Sequence, residues 1–373
     1  MSHAELRGQS GGAPAKASGL EGVVVADTRL SHVDGERGEL IIAGSPAEEL
    51  ALAEGARFEQ LAARLLALGT GEPVPNLGER LAAARGAAFA RIASLRGALA
   101  LPDAMDSLLA STAQGNAGAD AISTLGALPV YVAAAARLRS GQPLIASNAG
   151  LGHAQDFLSM LGLPAHTARA RALDAYWITV SDHGLNASTF TARVVASTGA
   201  DVMPCVVAAL GALKGPLHGG APGPVLDMLD ATLQVEPRVW LEAEIAAGRR
   251  IMGMGHRIYR VRDPRAFVFE RALARLEHDD AHGSAVAARL AHARRVEQAA
   301  EALLSERHPD RPLRANVEFY TALLLEALGI PRDAFSAVFA IGRAAGWLAH
   351  VAEQRRTGKL IRPASRYVGA LPQ

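Results

Sequence analysis

Cysteine, aromatic residues and net charge are all scarce in this 373-residue chain, and each scarcity removes a class of protein. The one cysteine, Cys205, cannot build an internal disulfide framework and fits a reducing compartment. It stands in the apolar stretch Val202 to Leu213, where it reads as a small buried hydrophobe rather than a reactive thiol. Thirty-eight basic residues face thirty-seven acidic ones, a formal charge of +1. So even a balance offers no footprint for nucleic acid or for an anionic membrane. No run nears the roughly 18 uninterrupted apolar residues of a membrane span, and the N-terminus lacks the apolar core of a signal peptide. The twelve histidines show no His-Glu-x-x-His or His-x-His spacing, so no metal site is expected. These absences leave a soluble cytoplasmic protein without metal or cofactor as the expectation.

What the chain does have is alanine. Half of its residues are hydrophobic while only 5% are aromatic, a composition that favours closely packed helices around a sizeable core. Residues 1–18 are small, polar and aperiodic, which predicts a disordered tail. Val23-Val-Val, Leu30-Ser-His-Val33 and Leu40-Ile-Ile around the Asp34-Gly35 turn predict short strands in an N-terminal meander. Ser45-Pro46-Ala-Glu48 then reads as a capped helix start. Helical segments are predicted over 46–69, 76–97, 118–138, 167–180, 187–198, 201–213, 222–232, 237–247, 264–277, 284–307, 317–328 and 333–356. The fold class is therefore all-α, with a token of sheet.

Several short motifs fail on inspection. Gly253-Met-Gly255 begins like a dinucleotide fingerprint but lacks the third glycine and a preceding strand. Lys214-Gly-Pro-Leu-His218-Gly-Gly carries its lysine on the wrong side for a phosphate loop. Ser181-Asp182-His183 holds triad residue types, yet consecutive placement cannot align them. The informative set is instead His218 and His256, each beside glycine, followed by Glu318 in Asn316-Val-Glu318-Phe. Two imidazoles and a carboxylate suffice to make and trap an enolate: the carboxylate removes a proton next to a carbonyl, one imidazole stabilises the oxyanion, and the other protonates the electrophile. Arg343 adds a cation in the middle of a helix that is apolar on nearly every side. It reads either as half of a buried ion pair or as a site for a substrate carboxylate.

From about residue 19 to the end the chain resembles the citrate synthases, particularly the shorter bacterial form that includes 2-methylcitrate synthases. The resemblance is carried by Ser181-Asp-His183-Gly-Leu-Asn186-Ala-Ser-Thr-Phe-Thr-Ala-Arg193, Lys214 to Gly220, Ile251 to Ala266, Asn316-Val-Glu318-Phe-Tyr, Ala340 to Gln354, and Leu360-Ile-Arg362-Pro with Arg366-Tyr-Val-Gly. It implies a two-domain helical fold: a large domain from 19–214 plus 329–373 bearing a homodimer interface, and a small domain from 215–328. It implies that acetyl-CoA and oxaloacetate condense to citrate and CoA. In that reaction His218 would donate to the thioester carbonyl, Glu318 would take the methyl proton, and His256 would serve the keto oxygen. His183, Arg265 and Arg343 would hold the keto acid, with Arg362 supplied by the neighbouring subunit. Gly253, Gly255 and Arg260 would contact CoA.

Two departures from the family stand out. The base is usually aspartate, and Glu318 is one methylene longer. Gly184-Leu185 replaces an acidic residue and an aromatic after His183. The resemblance leaves two other readings: a 2-methylcitrate synthase using propionyl-CoA, or a weakened paralogue that binds CoA or a dicarboxylate and regulates through protein contacts.

Overall fold

The computed structural model describes residues 20, 22–115, 120–219, 222–256, 258–259, 261–279, 283–310 and 313–370. The tail expected over 1–18 lies outside the described residues. The first regular element is the meander. Strand β1 (Ser31–Asp34) pairs antiparallel with β2 (Glu39–Ile42), Ser31 opposite Ile42, and β2 pairs with the two-residue β3 (Ser45–Pro46). Asp34 forms the first turn, its Oδ1 accepting the Glu36 and Arg37 N–H groups at 3.0 Å each.

The helices follow: α1 (Ala47–Leu52), α2 (Phe58–Thr70), α3 (Leu77–Ala90), α4 (Arg96–Leu99), α5 (Ala104–Gly115), α6 (Ala121–Arg139), α7 (His153–Leu161) and α8 (Thr167–Val180). The second half of the chain forms α9 (Ala187–Ala196), α10 (Val202–Lys214), α11 (Pro222–Ala231), α12 (Pro237–Ala246), α13 (Pro264–Asp279), α14 (Gly283–Arg307), α15 (Val317–Ala327) and α16 (Phe335–Thr357). Among the described residues the fold is all-α apart from the meander.

The sequence expectations miss in a few places. The segment 46–69 is two helices, because Ala53 to Arg57 breaks it, and α5 and α7 were not anticipated. Ser45 does not cap α1. It sits in β3 opposite Ile42, and the cap position is Pro46, which makes no side-chain cap bond. Val23-Val-Val is not a strand: among the described residues no strand pairs with it, and Val24 is largely exposed. Helix α6 and the stretch Arg332–Thr357 are long and apolar enough to cross a membrane, but both are mostly buried within the protein. They are core helices.

Helix α16 organises the rest. An apolar circumference requires burial on all sides, and α16 packs against α2, α5, α6, α8, α9 and α10. It approaches the segment between α8 and α9 so closely that Gly346 N–H donates to the Ser181 carbonyl at 3.1 Å. A Cβ at 346 would overlap that carbonyl oxygen and come within 2.9 Å of Asp182 Oδ1. A buried network behind this contact fixes α9 to α16: Arg193 Nη1 pairs with Glu353 at 2.7 Å and meets His350 Nδ1 at 2.8 Å, while Nε donates to Gln354 at 2.8 Å.

The meander also does more than begin the chain. Ser31 Oγ accepts the Gly184 N–H at 2.8 Å, and Gly35 lies against the Ile258 backbone so tightly that no side chain fits there.

Gly346→Ala is expected to destabilise the protein. Alanine gains about 1 kcal/mol in helix propensity, but overpacking a tight contact costs about 1–3 kcal/mol and here displaces backbone. Urea unfolding should show a net loss of roughly 1–2 kcal/mol. A variant as stable as the parent would mean that this approach is not a constraint.

Candidate active site

Glu318 is placed by backbone pairing. Asn316 caps α15, its Oδ1 accepting the Glu318 N–H at 2.9 Å. Its own N–H donates to the Gly253 carbonyl at 2.9 Å, its Nδ2 donates to the Gly255 carbonyl at 2.8 Å, and Gly255 N–H donates to the Arg314 carbonyl at 2.7 Å. An antiparallel bridge between Met254 and Ala315 completes the seam. Gly253 and Gly255 have φ of +78° and +77°, which L side chains rarely adopt, so glycine is required at both. The seam carries His256 to the foot of α15.

The tautomer of His256 follows from its partners. Nδ1 accepts the Ile258 and Tyr259 N–H groups at 2.9 and 3.0 Å, so a neutral ring bears its proton on Nε2. Nε2 faces Arg265 Nη2 at 3.2 Å. In that tautomer a His256 N–H and an Arg265 N–H lie side by side, two donors that one shared acceptor would satisfy. Arg265 is buried and held by Asp263, which accepts from its Nε at 3.0 Å and its Nη2 at 2.8 Å. Asp263 Oδ2 also accepts the Val317 N–H at 3.3 Å. Its carboxylate therefore joins Arg265 to the helix that presents Glu318.

His183 is buried beside this group, its ring centroid 6.2 Å from that of His256. Its Nε2 meets the Tyr259 hydroxyl at 3.0 Å. His218 stands in the turn closed by its own N–H to the Gly215 carbonyl at 2.9 Å. Its Nε2 accepts the Ser188 N–H at 3.3 Å, which leaves its proton on Nδ1.

Burial separates the acid–base properties of these groups. His218 and His256 are each pulled down to about 4, by desolvation first and then by Arg343 and Arg265 respectively. His183 is pushed well below the ordinary histidine range by burial and the same two arginines. Glu318 moves the other way, to about 7, because burial outweighs the attraction of Arg265 and Arg343. Arg343 is lowered to about 10 by desolvation, against the opposing pull of Asp182.

Arg343 decides what kind of site this is. Its Nε donates to the Val180 carbonyl at 2.5 Å and its guanidinium lies 4.7 Å from the Phe339 ring centroid. No described carboxylate comes within ion-pair distance of it. Its charge disfavours protonation of His183 and His218 and favours ionisation of Glu318. Among the described residues the buried ion pair considered from sequence is absent, and only more distant carboxylates such as Asp182 oppose the cost of burying this cation.

Not every expected residue is gathered here. Arg362 is exposed in the extended stretch after α16 and lines a separate cleft of about 690 Å3 with Arg193, Glu353 and Gln354. Arg260 lies outside the described residues. Sequence reasoning assigned no role to Tyr259, Asp263 or Ser188, although each lies inside one of the stretches that carry the resemblance. It also missed a cleft of about 570 Å3 that opens from Gly255 and His256 and is lined by Arg249, Arg250, Arg307 and His308. The adjacent Arg249-Arg250 pair was its available signal.

Comparison with known proteins gives one answer throughout. The family described as "Citrate synthase, C-terminal domain" matches residues 19–364. The Mycobacterium tuberculosis (strain ATCC 25618 / H37Rv) protein named "Putative citrate synthase 2" is 48% identical over 203 residues, 54% of this chain and 52% of that protein. The chain thus matches about half the length of that relative. The citrate synthase of Haloferax volcanii is 35% identical across 94% of this chain and 95% of its own. The 2-methylcitrate synthase of the same M. tuberculosis strain is also 35% identical, across 94% and 90%. Among solved structures, a ternary complex of carboxymethyl coenzyme A and oxaloacetate with citrate synthase from Thermoplasma acidophilum superposes with a TM-score of 0.80, at 25% identity over 95% of this chain and 96% of that one.

Glu318 makes a pH-dependent prediction. Its folded-state value of about 7 lies above the ordinary 4.5, so the protonated form is stabilised by folding. That stability is complete below about 4.5 and is lost as pH rises through 7. Glu318→Gln, which stays neutral, should therefore unfold with a free energy on the order of 3 kcal/mol higher than the parent at about pH 9. The two should converge near pH 4. A difference that does not vary with pH would refute burial as the cause.

Proposed function

We propose that this chain, which belongs to the citrate synthase family, condenses acetyl-CoA with oxaloacetate and water to give citrate and CoA. The observation that carries the reading is Arg343: a buried cation without a carboxylate partner, set among two neutral imidazoles and a carboxylate of raised pKa. A dianionic keto acid would supply the missing charge. Arg343 and Arg265 would each take a carboxylate, with His183 beside them.

The steps follow from the donors and the base that line the site. The His218 Nδ1–H donates to the thioester carbonyl while ionised Glu318 removes a proton from the methyl group, giving an enol or enolate. The new nucleophilic carbon attacks the keto carbon of oxaloacetate. Charge develops on the keto oxygen, which enters the space where His256 Nε2–H and the Arg265 N–H converge. His256 passes its Nε2 proton to the resulting alkoxide as the ring is reprotonated from water, and Glu318 returns the proton it took to solvent, so that the site ends as it began. Water then cleaves the thioester of citryl-CoA and releases CoA as the thiol. A value near 7 makes Glu318 a stronger base than an ordinary carboxylate while leaving it half ionised at neutral pH.

The nucleotide end of CoA would lie in the cleft beside Gly253, Gly255 and His256. Arg249, Arg250 and Arg307 suit its phosphates, and Arg260 would add a further contact. Residues 215–328 would close as a small domain on the remainder and exclude water from the enolate. Arg362 would serve the site of a second copy in a homodimer, consistent with its exposure. The reducing cytoplasm suits the lone, buried Cys205. A second reading has a specific support: one relative is a 2-methylcitrate synthase. Propionyl-CoA needs room for one more methylene, a difference worth only about 1–3 kcal/mol.

Trapping of released thiol, with each thioester and oxaloacetate, tests the proposal. The specificity constant should be higher for acetyl-CoA. A preference for propionyl-CoA would transfer the assignment to 2-methylcitrate synthesis. No thiol release from either would sink both and favour a binding paralogue. Activity should rise with pH through about 7 as Glu318 ionises. Glu318→Gln should lower kcat by about 10²–10⁴-fold, and Glu318→Asp by up to a hundredfold, because its carboxylate retreats by about 1 Å.

A further inference from the structure

Tyr176 is fully buried on α8, its ring centroid 5.2 Å from that of Phe269. Among the described residues its hydroxyl has no hydrogen-bond partner. A buried hydroxyl left unbonded is costly, so its surroundings call for an account. Helical spacing locates it. Phe269 stands one turn beyond Arg265 on α13, so the phenol packs against the face of α13 that carries that guanidinium. On α8 itself, Val180 follows one turn after Tyr176, and its carbonyl accepts the Arg343 Nε–H. Thr321, one turn beyond Glu318 on α15, approaches the hydroxyl without reaching hydrogen-bond geometry. Helices α13, α15 and α16 thus each bring a charged group of the site toward the phenol: Arg265, Glu318 and Arg343.

Of these three, only Glu318 can accept a hydrogen bond, because guanidinium groups have no acceptor. Burial and then the charge of Glu318 keep the phenol protonated, so it has a hydrogen to give. Among the described residues no donor reaches the Glu318 carboxylate. Burial and the charges of Arg265, Asp263 and Arg343 act on it, and no hydrogen bond does. A donor without an acceptor and a carboxylate without a donor are therefore neighbours. We propose that Tyr176 is a positioning residue for the base: when Glu318 loses its proton, its carboxylate turns to accept the Tyr176 hydroxyl, which fixes one oxygen and leaves the other to face the acyl methyl group. The methylene by which Glu318 exceeds aspartate supplies an added torsion for this turn. A hydrogen bond to the ionised form makes ionisation easier. Tyr176 therefore offsets part of what burial does to Glu318. The inference rests on the role given above to Glu318, but the bond itself needs no substrate.

Two variants alter the donor and keep the ring. Tyr176→Phe deletes the hydroxyl, and replacement of Tyr176 by 3-fluorotyrosine leaves a more acidic phenol that donates more strongly. Carbon-13 NMR of the free enzyme, labelled at glutamate Cδ and assigned with Glu318→Gln, follows the carboxyl directly. Glu318 should titrate about one unit higher in Tyr176→Phe, a tenfold change in its ionisation constant, and lower in the fluorotyrosine variant. In thiol-release kinetics Tyr176→Phe should lower kcat about tenfold at about pH 6 and much less at about pH 9, with KM for oxaloacetate within about twofold. General damage to the fold would lower kcat alike at both. In Glu318→Asp the shorter carboxylate falls short of the phenol, so adding Tyr176→Phe should move neither readout further. A Glu318 titration unchanged in both variants would overturn the inference. So would a rise of about tenfold in KM for oxaloacetate with the titration unmoved, since the phenol would then serve the keto acid. A shifted titration in a protein that releases no thiol would uphold the inference and sink the proposed reaction instead.

Discussion

Four residues along one face of α16 take hold of the chain from the end of α8 to the first turn of α9. Arg343 Nε donates to the Val180 carbonyl at 2.5 Å, and Gly346 N–H to the Ser181 carbonyl at 3.1 Å. Trp347 reaches Ser188 at 3.1 Å, and His350 Nε2 meets the Asp182 carboxylate at 3.1 Å. Positions 343, 346, 347 and 350 follow the helical repeat, so one straight helix presents all four to the same side. His183 comes next after Asp182, and Ser188 touches His218. A single buried surface thereby sets the places of two histidines that lie 35 residues apart in sequence. The Ser181-Asp182-His183 run that resembles a triad is instead a grip point and the residue it positions.

The electrostatics of the site depend on that rigidity. A buried guanidinium without a carboxylate partner is costly, and here it is held by a backbone carbonyl and an aromatic face. The same burial moves the ionisable groups apart, two imidazoles down to about 4 and Glu318 up to about 7. Such divergence distributes acid and base roles among a few side chains. Neutral imidazoles donate without adding charge, and the base remains close to the pH at which it must work.

The meander illustrates what local signals conceal. Short apolar runs around an Asp-Gly turn announce a small sheet, and strands β1 and β2 form there. Nothing in those signals says that Ser31 accepts the Gly184 N–H or that Gly35 seats the Ile258 backbone. The sheet bears on the loops of His183 and His256 together. In the same way, the alanine-rich pattern locates most helices but not α5 or α7, where the apolar stretch is short and tertiary packing supplies the helix.

By itself, the order of residues determined the helical class and the ends of most helices. It also determined the residue types of the trio and the presence of a cation in the middle of a helix that is apolar on nearly every side. These are local properties: periodicity reports which face turns inward, and a glycine beside a histidine reports a turn. It could not say what each inward face meets. The bonds that build the site join residues 159 to 168 positions apart, and no local pattern encodes such a meeting. Only the tertiary structure decided that no described carboxylate pairs with Arg343, that Ser188 and Tyr259 attend the histidines, and that Arg362 lies apart in a separate cleft. The reason is that pairing and desolvation depend on what surrounds a group in space.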